Sequence, residues 1–384
     1  MARLGDLCRF INGDRGRNYP SQAEISSDGD VPFINAGHLV DGKLDFSDMN
    51  YISEEKYNQL NSGKIQENDV LYCLRGSLGK KAIIKGISKG VIASSLVIIR
   101  PDARRINSDY LFYALESPRV QEQMMQANHG SSQPNLSAKS VSDYTFNLPD
   151  IDVQIEVVSK LAKVNDLITL RREQLAKLDQ LVKVRFMELF NSSNYPTYAV
   201  DQLCSHIVDC PHTTPKYSGF LCNPAIRTSE IKKGYIDWET MRYVSDEEYE
   251  ERTARLKPEA GDIVYGREGT FGNAAVLPEG YKFCLGQRVM LLRPDYLKCT
   301  SAYLLHAVIS DDVYRQALER NNASTVAHVN MSDVKKFKIP LPPLEVQKLF
   351  AAFVEQTNKS KLTIQASLDK LELLKKSLMQ QYFG

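Results

Sequence analysis

The chain carries none of the common catalytic signatures. It has no phosphate-cradling GxxxxGK[ST] loop, no GxGxxG after a strand, no HExxH and no zinc-type CxxC pair. The Asn/Asp-Pro-Pro-aromatic motif of amino-methyltransferases is absent too, since Leu341-Pro342-Pro343-Leu344 lacks its polar and aromatic members. Together these absences argue against a self-contained enzyme, so neither a catalytic residue nor a cofactor is expected. No apolar run approaches the roughly 18 residues of a membrane span, and the N-terminal residues lack the regions of a signal peptide. Seven cysteines, odd in number and irregular in spacing, exclude an ordered disulfide framework. They read as reduced thiols in a cytoplasmic protein. No sign of charge dominates: the net charge is +1, with 17 Lys and Arg against 18 Asp and Glu in residues 1–150 and 18 against 19 in residues 191–343. A nucleic-acid site must then be a local concentration of positive charge rather than a property of a whole domain.

Residues 153–190 contain no Gly and no Pro, and Leu161, Val164, Ile168, Leu175, Leu178, Val182 and Leu189 recur at three- and four-residue steps. That period predicts an amphipathic helix, roughly 57 Å long at about 1.5 Å per residue. Leu161, Ile168, Leu175, Val182 and Leu189 keep a seven-residue spacing, which asks for a partner helix. Arg171 and Arg185 interrupt the intervening positions.

A repeat supplies that partner. Residues 153–190 align with residues 346–383 at an offset of 193, pairing Gln154 with Gln347, Leu175 with Leu368, Leu178 with Leu371, Leu181 with Leu374 and Phe190 with Phe383. Upstream, Leu148-Pro149 matches Leu341-Pro342, Tyr110-Leu111 matches Tyr303-Leu304, Arg100-Pro101-Asp102 matches Arg293-Pro294-Asp295, and Asp69 to Tyr72 matches Asp262 to Tyr265. One unit is written twice. The boundaries follow: a first module over 1–149, a long helix over 150–190, a polar linker over 191–196, a second module over 197–343 and a second long helix over 344–384. The second helix has Lys361 and Lys375 where the first has Ile168 and Val182, so its stripe leans on Ile364, Leu368, Leu371, Leu374 and Leu378. Helix pairing is assigned to Leu161, Ile168, Leu175, Leu178, Leu368, Leu371 and Leu378.

Each module reads as mixed α/β (α+β). Residues 69–74, 81–85 and 91–100 are short β-branched runs bounded by Gly, hence strands, with 90–99 buried on both faces. Residues 108–126 and 300–320 read as helices with N-caps at Ser108 and Thr300. Pro149 and Pro342-Pro343 mark the entry to each long helix.

Three pairs of polar, turn-rich loops share a frame yet differ in side chains. The first pair holds Arg15, Arg17, Asn18 and Tyr19 against His212, Thr213, Thr214 and Lys216. The second holds Arg75, Ser77, Lys80 and Lys81 against Arg267, Thr270 and Asn273, with Gly76 and Gly79 matched by Gly269 and Gly272. The third holds Ser131, Ser132, Gln133 and Asn135 against Ser324, Thr325, His328 and Asn330. Arg pairs guanine, and Gln or Asn pairs adenine, through the major groove. Any one such loop is most simply solvated surface; three divergent pairs on one frame are what two different recognition surfaces look like. Cys204, His206, Cys210 and His212 lie close in sequence, but their spacing is not that of a zinc finger, and the plain reading is two cysteines with two polar histidines.

The LP-x4-Q entry to each long helix, the Gln133-Pro134-Asn135 stretch and the leucine-rich helix ends, set in this duplication, resemble the specificity subunit of type I restriction-modification enzymes over essentially the whole chain. The resemblance implies two target-recognition domains, each reading one half of a split DNA site, joined by two long antiparallel helices with pseudo-two-fold symmetry that act as a spacer. It also implies partners: double-stranded DNA, two modification (methyltransferase) subunits that methylate adenine, and restriction (motor-nuclease) subunits that use ATP, with no membrane. A coiled-coil scaffold whose modules bind proteins is the competing expectation, separated from the first by steeply salt-dependent duplex binding.

Overall fold

The computed structural model describes residues 1–128, 134–190, 195–220, 222–269, 272–320 and 328–384. It forms two compact units, one of Met1–Arg172 with Ala366–Gly384 and one of Glu173–Gln365. Each unit therefore holds one module and a part of each long helix.

The two modules repeat one sheet topology. In the first, a four-stranded antiparallel sheet orders the strands Cys8–Asn12, Leu96–Pro101, Val70–Cys73 and Lys81–Ile83. In the second, Cys204–Asp209, Val289–Pro294, Ile263–Gly266 and Ala274–Val276 follow the same order. A smaller sheet joins Asn50–Ile52, Val31–Ile34 and Val91–Ile92, the last two parallel; its counterpart gains a strand, Tyr217–Ser218.

The apolar run 90–99 is not one strand, as its pattern predicts. Val91–Ile92 belongs to the small sheet and Leu96–Pro101 to the large one, and residues 93–95 carry the chain between them. Both halves are buried, so hydrophobicity alone does not reveal the break. The expected helix 108–126 is likewise two, Ser108–Ala114 and Pro118–Ala127, because Ser117 caps a new start and Pro118 takes its first position. Its copy splits into Ser301–Val308 and Asp311–Glu319, with Ser310 as the second cap. The first cap is Asn107, whose side chain accepts from Asp109 and Tyr110 N–H, rather than Ser108; Thr300 caps as expected.

The long helices are Ile151–Phe190 and Leu344–Phe383. The LP-x4-Q spacing has a physical cause. Gln154 is fully buried; its Oε1 accepts Asn107 N–H at 2.9 Å, and its Nε2 donates to the carbonyls of Arg105 at 3.1 Å and Pro149 at 2.8 Å. Gln347 does the same with Thr300 N–H at 2.9 Å and the carbonyls of Lys298 at 3.0 Å and Pro342 at 2.9 Å. One glutamine thus ties the first turn of each long helix to the cap of the module's own helix.

Within each unit the helix segments run antiparallel. In the first unit Lys160 Nζ lies 3.2 Å from Tyr382 Oη and Arg172 pairs with Glu372 at 2.7 Å; in the second, Lys361 pairs with Asp179. Leu161, Ile168 and Leu368 are buried, and Leu175, Leu178, Leu371 and Leu378 are half-buried. Leu374 is 46% exposed and does not belong to the stripe expected of it; the seam steps from Leu371 to Lys375 instead. Polar groups occupy seam positions: Arg171 Nε donates to Ser367 Oγ at 3.3 Å and Lys375 Nζ to Asn165 Oδ1 at 3.1 Å. Such groups weaken a seam but select its register, because only one alignment gives each a partner.

Phe383 is buried with Tyr110, ring centroids 4.9 Å apart, in the first module's core. Phe186, Phe190 and Phe350 fill the second module's core around Tyr303. His306 stands there between Phe350 and Phe186, at 5.2 and 6.0 Å, where the first copy has Tyr113. Burial, then the charge of Lys361, pushes its imidazole down to about 4. Between pH 6.5 and 4 the unfolded chain therefore binds a proton that the folded chain refuses, so stability falls as pH drops through this window and is unaffected by this group above it. Urea unfolding should show an acid limb of up to about 1.4 kcal/mol per pH unit that His306→Tyr removes. Superimposable limbs for the two proteins would refute the assignment.

Candidate nucleic-acid interface

In the first module the three predicted loops meet: the first two bond to the turn 93–95, and the third joins the second. Arg15 Nη2 donates to the carbonyl of Ser94 at 3.2 Å. Leu74 N–H donates to the carbonyl of Ser95 at 2.9 Å, Leu136 N–H to that of Leu74 at 2.8 Å and Gly76 N–H to that of Pro134 at 3.2 Å, with Arg75 and Asn135 facing each other as a β-bridge. Arg15, Arg17, Arg75, Ser77 and Asn135 are exposed and Lys80 is half-buried. The frame is held from below. Asp14 accepts Gly16 N–H at 2.8 Å and Asn61 N–H at 3.0 Å, and these bonds, Gly16 first, hold its carboxyl below the usual range. Tyr19 stacks edge-on against Phe33, and Asn18 Nδ2 donates to the carbonyl of Gln59 at 2.9 Å. Gly79 is required: it sits at φ +75°, and a Cβ there would meet Met124 Sδ at 2.8 Å. Gly272, its copy, would meet Tyr314 at 2.9 Å.

The second module builds the same cluster from other side chains. Arg267 N–H donates to the carbonyl of Arg288 at 2.9 Å, Val329 N–H to that of Arg267 at 3.0 Å and Cys210 N–H to that of Val289 at 3.1 Å, with Glu268 and His328 as the β-bridge. Gln287 Nε2 donates to Thr214 Oγ1 at 2.9 Å. Glu268 lies 3.0 Å from Arg288 Nε and 3.3 Å from His328 Nδ1, and His328 Nε2 lies 3.0 Å from Asn330 Oδ1. His212, Thr213, Thr214, Lys216 and Asn330 are exposed.

Two expected cations are not on either surface. Lys81 is buried over the ring of Phe112 and pairs with Glu116 at 3.0 Å. Arg267 is buried and pairs with Asp209 at 2.9 Å, because backbone pairing matches it to Leu74, a core position, and leaves Glu268 as the counterpart of Arg75. Asn273 is half-buried, its Nδ2 donating to the carbonyl of Ile231 at 3.2 Å. Ser131, Ser132, Gln133, Thr270, Ser324 and Thr325 lie outside the described residues. Sequence reasoning missed the turn at the centre of each cluster, Ser94-Ser95 and Gln287-Arg288. The available signal was a divergent polar pair, at the 193-residue offset, inside an otherwise matching apolar run.

Among the described residues no three His, Cys, Asp or Glu side chains are arranged to hold a metal ion. Cys210 is buried, His206 and His212 are exposed, and burial pushes the Cys204 thiol up. Among the same residues no helix is long and apolar enough to cross a membrane.

This architecture has known relatives. A family model described as the type I restriction modification DNA specificity domain matches residues 1–180 and 220–373. The type I restriction enzyme MjaVIII specificity subunit of Methanocaldococcus jannaschii is 21% identical, over 99% of this chain and 90% of that protein. The crystal structure of the type I restriction-modification S subunit from M. genitalium superposes with a TM-score of 0.61 at 11% identity, covering 100% of this chain and 95% of that one. A chain from work on complex assembly and conformational transition of the type I R-M system gives 0.59 at 17% identity, covering 99% and 96%. Those identities make the two structures evidence of fold alone, whereas the family model spans most of both repeats. The chain belongs to the family of type I restriction modification DNA specificity domains.

Proposed function

We propose that each module of this specificity subunit reads one half of a split duplex target with its loop cluster, that the paired helices fix the unread spacer, and that the chain carries no catalytic centre of its own. In this reading two modification subunits methylate adenine within the bound site, and ATP-driven restriction subunits complete the assembly. The observation that carries it is the repeated clustering of three sequence-distant loops around one turn, two bonded to it and the third to the second, with Arg75, Asn135 and Ser95 in one module standing where Glu268, His328 and Arg288 stand in the other. One backbone frame with two sets of donors and acceptors suits two different base sequences. The near-neutral modules agree with a reader whose grip on phosphates comes partly from its partners. The helices also expose Leu167, Leu170, Leu181, Val184, Met187 and Leu373, apolar side chains off the seam that support docking of other subunits there.

Mapping methylated adenines across the genome of a host with and without this gene tests the reading. The expected result is one split motif that disappears with the gene. A methylome unchanged by the deletion would refute it, and a duplex affinity of the assembly insensitive to salt would favour a protein-binding scaffold instead.

A further inference from the structure

We infer that Arg288 is a specificity-determining residue of the second module, reading a guanine in the major groove, and that Glu268 holds its guanidinium in place before DNA arrives; this rests on the reading just proposed. The first observation is conformational. Arg288 has φ +65°, in the left-handed region, and among the described residues the other non-glycine residues there are Asp41 and Asn68. Asp and Asn tolerate that region through their short polar side chains, whereas a long side chain on a Cβ is disfavoured. The turn holds it there regardless: Gly286 N–H donates to the carbonyl of Ile226 at 2.7 Å, Arg267 N–H to that of Arg288 at 2.9 Å and Cys210 N–H to that of Val289 at 3.1 Å. A glycine would satisfy every one of these bonds without the penalty.

The reason for an arginine must therefore lie in its side chain, and its contribution to the fold does not supply one. That side chain is 61% exposed, and its ion pair is the 3.0 Å contact from Nε to Glu268. Exposed pairs of this kind add little to stability. Neither Nη1 nor Nη2 makes a hydrogen bond among the described residues. What remains is a rigid planar fork held by one edge at the centre of the loop cluster. A fork of that shape fits O6 and N7 of guanine bidentately, the commonest base contact of arginine. Strain kept at a functional position, with nothing structural to offset it, has this same signature. The first module supports the assignment by contrast: Ser95 occupies the turn, and exposed cations stand instead at Arg75, on the neighbouring strand end where the second module has Glu268, and at Arg15 and Arg17. The cations sit on different loops in the two copies, which suits two readers of different base steps.

The test compares methylated-adenine maps from hosts carrying the wild-type chain, Arg288→Gly and Arg288→Lys, each with its natural partner subunits. In Arg288→Gly one guanine of one half-site should lose preference by roughly five- to a hundredfold, with a smaller loss at the same guanine in Arg288→Lys, whose ammonium lacks the planar fork, while the other half-site stays fully read. That intact half also shows that the variant chain folds and assembles, and removing the left-handed side chain should leave the thermal midpoint of Arg288→Gly no lower than wild type. If Arg288→Lys keeps the wild-type motif and Arg288→Gly merely lowers methylation evenly, the residue is a phosphate clamp and the inference fails. An unaltered motif in both variants overturns it as well. Absence of any split motif with the wild-type chain instead overturns the reading on which it rests.

Discussion

Gln154→Leu should lower the unfolding free energy by about 2–4 kcal/mol, measured by urea denaturation. Leucine nearly fills the same volume, so packing is kept and the loss is almost wholly polar. Asn107 N–H and the carbonyls of Arg105 and Pro149 lose their shared partner, and each buried group left unpaired costs about 1–3 kcal/mol, discounted where water reaches it. Gln347→Leu should behave alike through Thr300, Lys298 and Pro342. Gln154→Glu adds a distinguishing sign. One carboxylate oxygen would still accept from Asn107, but the other would face two carbonyl oxygens, so the folded chain favours the protonated form and the folded pKa rises above its unfolded value. Stability is then lost as pH rises through that window, the reverse of the dependence set by His306. A loss below about 1 kcal/mol for the leucine variant, or a flat pH response for the glutamate variant, would show that the side chain is not the anchor.

Asp262→Ala should cost about 2–4 kcal/mol. Arg293 Nε and Nη2 donate to Asp262 Oδ1 and Oδ2, both at 2.8 Å, and Nη2 also reaches the carbonyl of Lys257 at 2.8 Å. Asp262 Oδ2 additionally accepts Glu259 N–H at 2.8 Å, so alanine uncaps a turn and takes the bidentate acceptor from the guanidinium, leaving it the Glu259 carboxylate at 3.3 Å. Arg100 and Asp69 form the same pair in the first module, again at 2.8 Å twice, with Gln66 N–H on the carboxylate at 2.7 Å. Most of the cost comes from guanidinium and backbone donors left without their acceptor rather than from the attraction itself. Adding Arg293→Met to Asp262→Ala should therefore recover part of the loss, and a double variant as unstable as the sum of the singles would contradict this account.

These two anchors were legible because internal duplication singles out residues whose partners recur at the same spacing in both copies. Asp69, Arg100 and Gln154 recur as Asp262, Arg293 and Gln347, and the structure gives each copy the same bonds. The long helices were legible from the absence of Gly and Pro and from the seven-residue stripe. What escaped depends on tertiary context. Residues 90–99 are apolar but for Ser94-Ser95, and two small polar residues in a buried run leave no periodic trace of the step from one sheet to the other at 93–95, so the most informative turn of each cluster went unseen. Aligning Arg75 with Arg267 by residue type put a core arginine on the surface, whereas the backbone bridge pairs Arg75 with Asn135 and Glu268 with His328. Leu374 looked like a seam residue because leucine suits one, but seam membership is decided by the partner helix, and Lys375 takes the place with Asn165 as its contact. The break before Pro118 could have been read, since Ser-Pro is a start signal that the helical period overrode.

The placement of residues 366–383 bears on the order of folding during synthesis. Met379 and Phe383 complete the core of the first module, whereas the second unit is the uninterrupted stretch Glu173–Gln365. As the chain leaves the ribosome, the second unit has every residue it needs before the first does, although it begins later. The core of the first module around Tyr110 stays incomplete until residues 366–383 have been made. A ribosome that stalls or terminates within 366–383 would thus release a chain whose damage lies in the module made before the intact one.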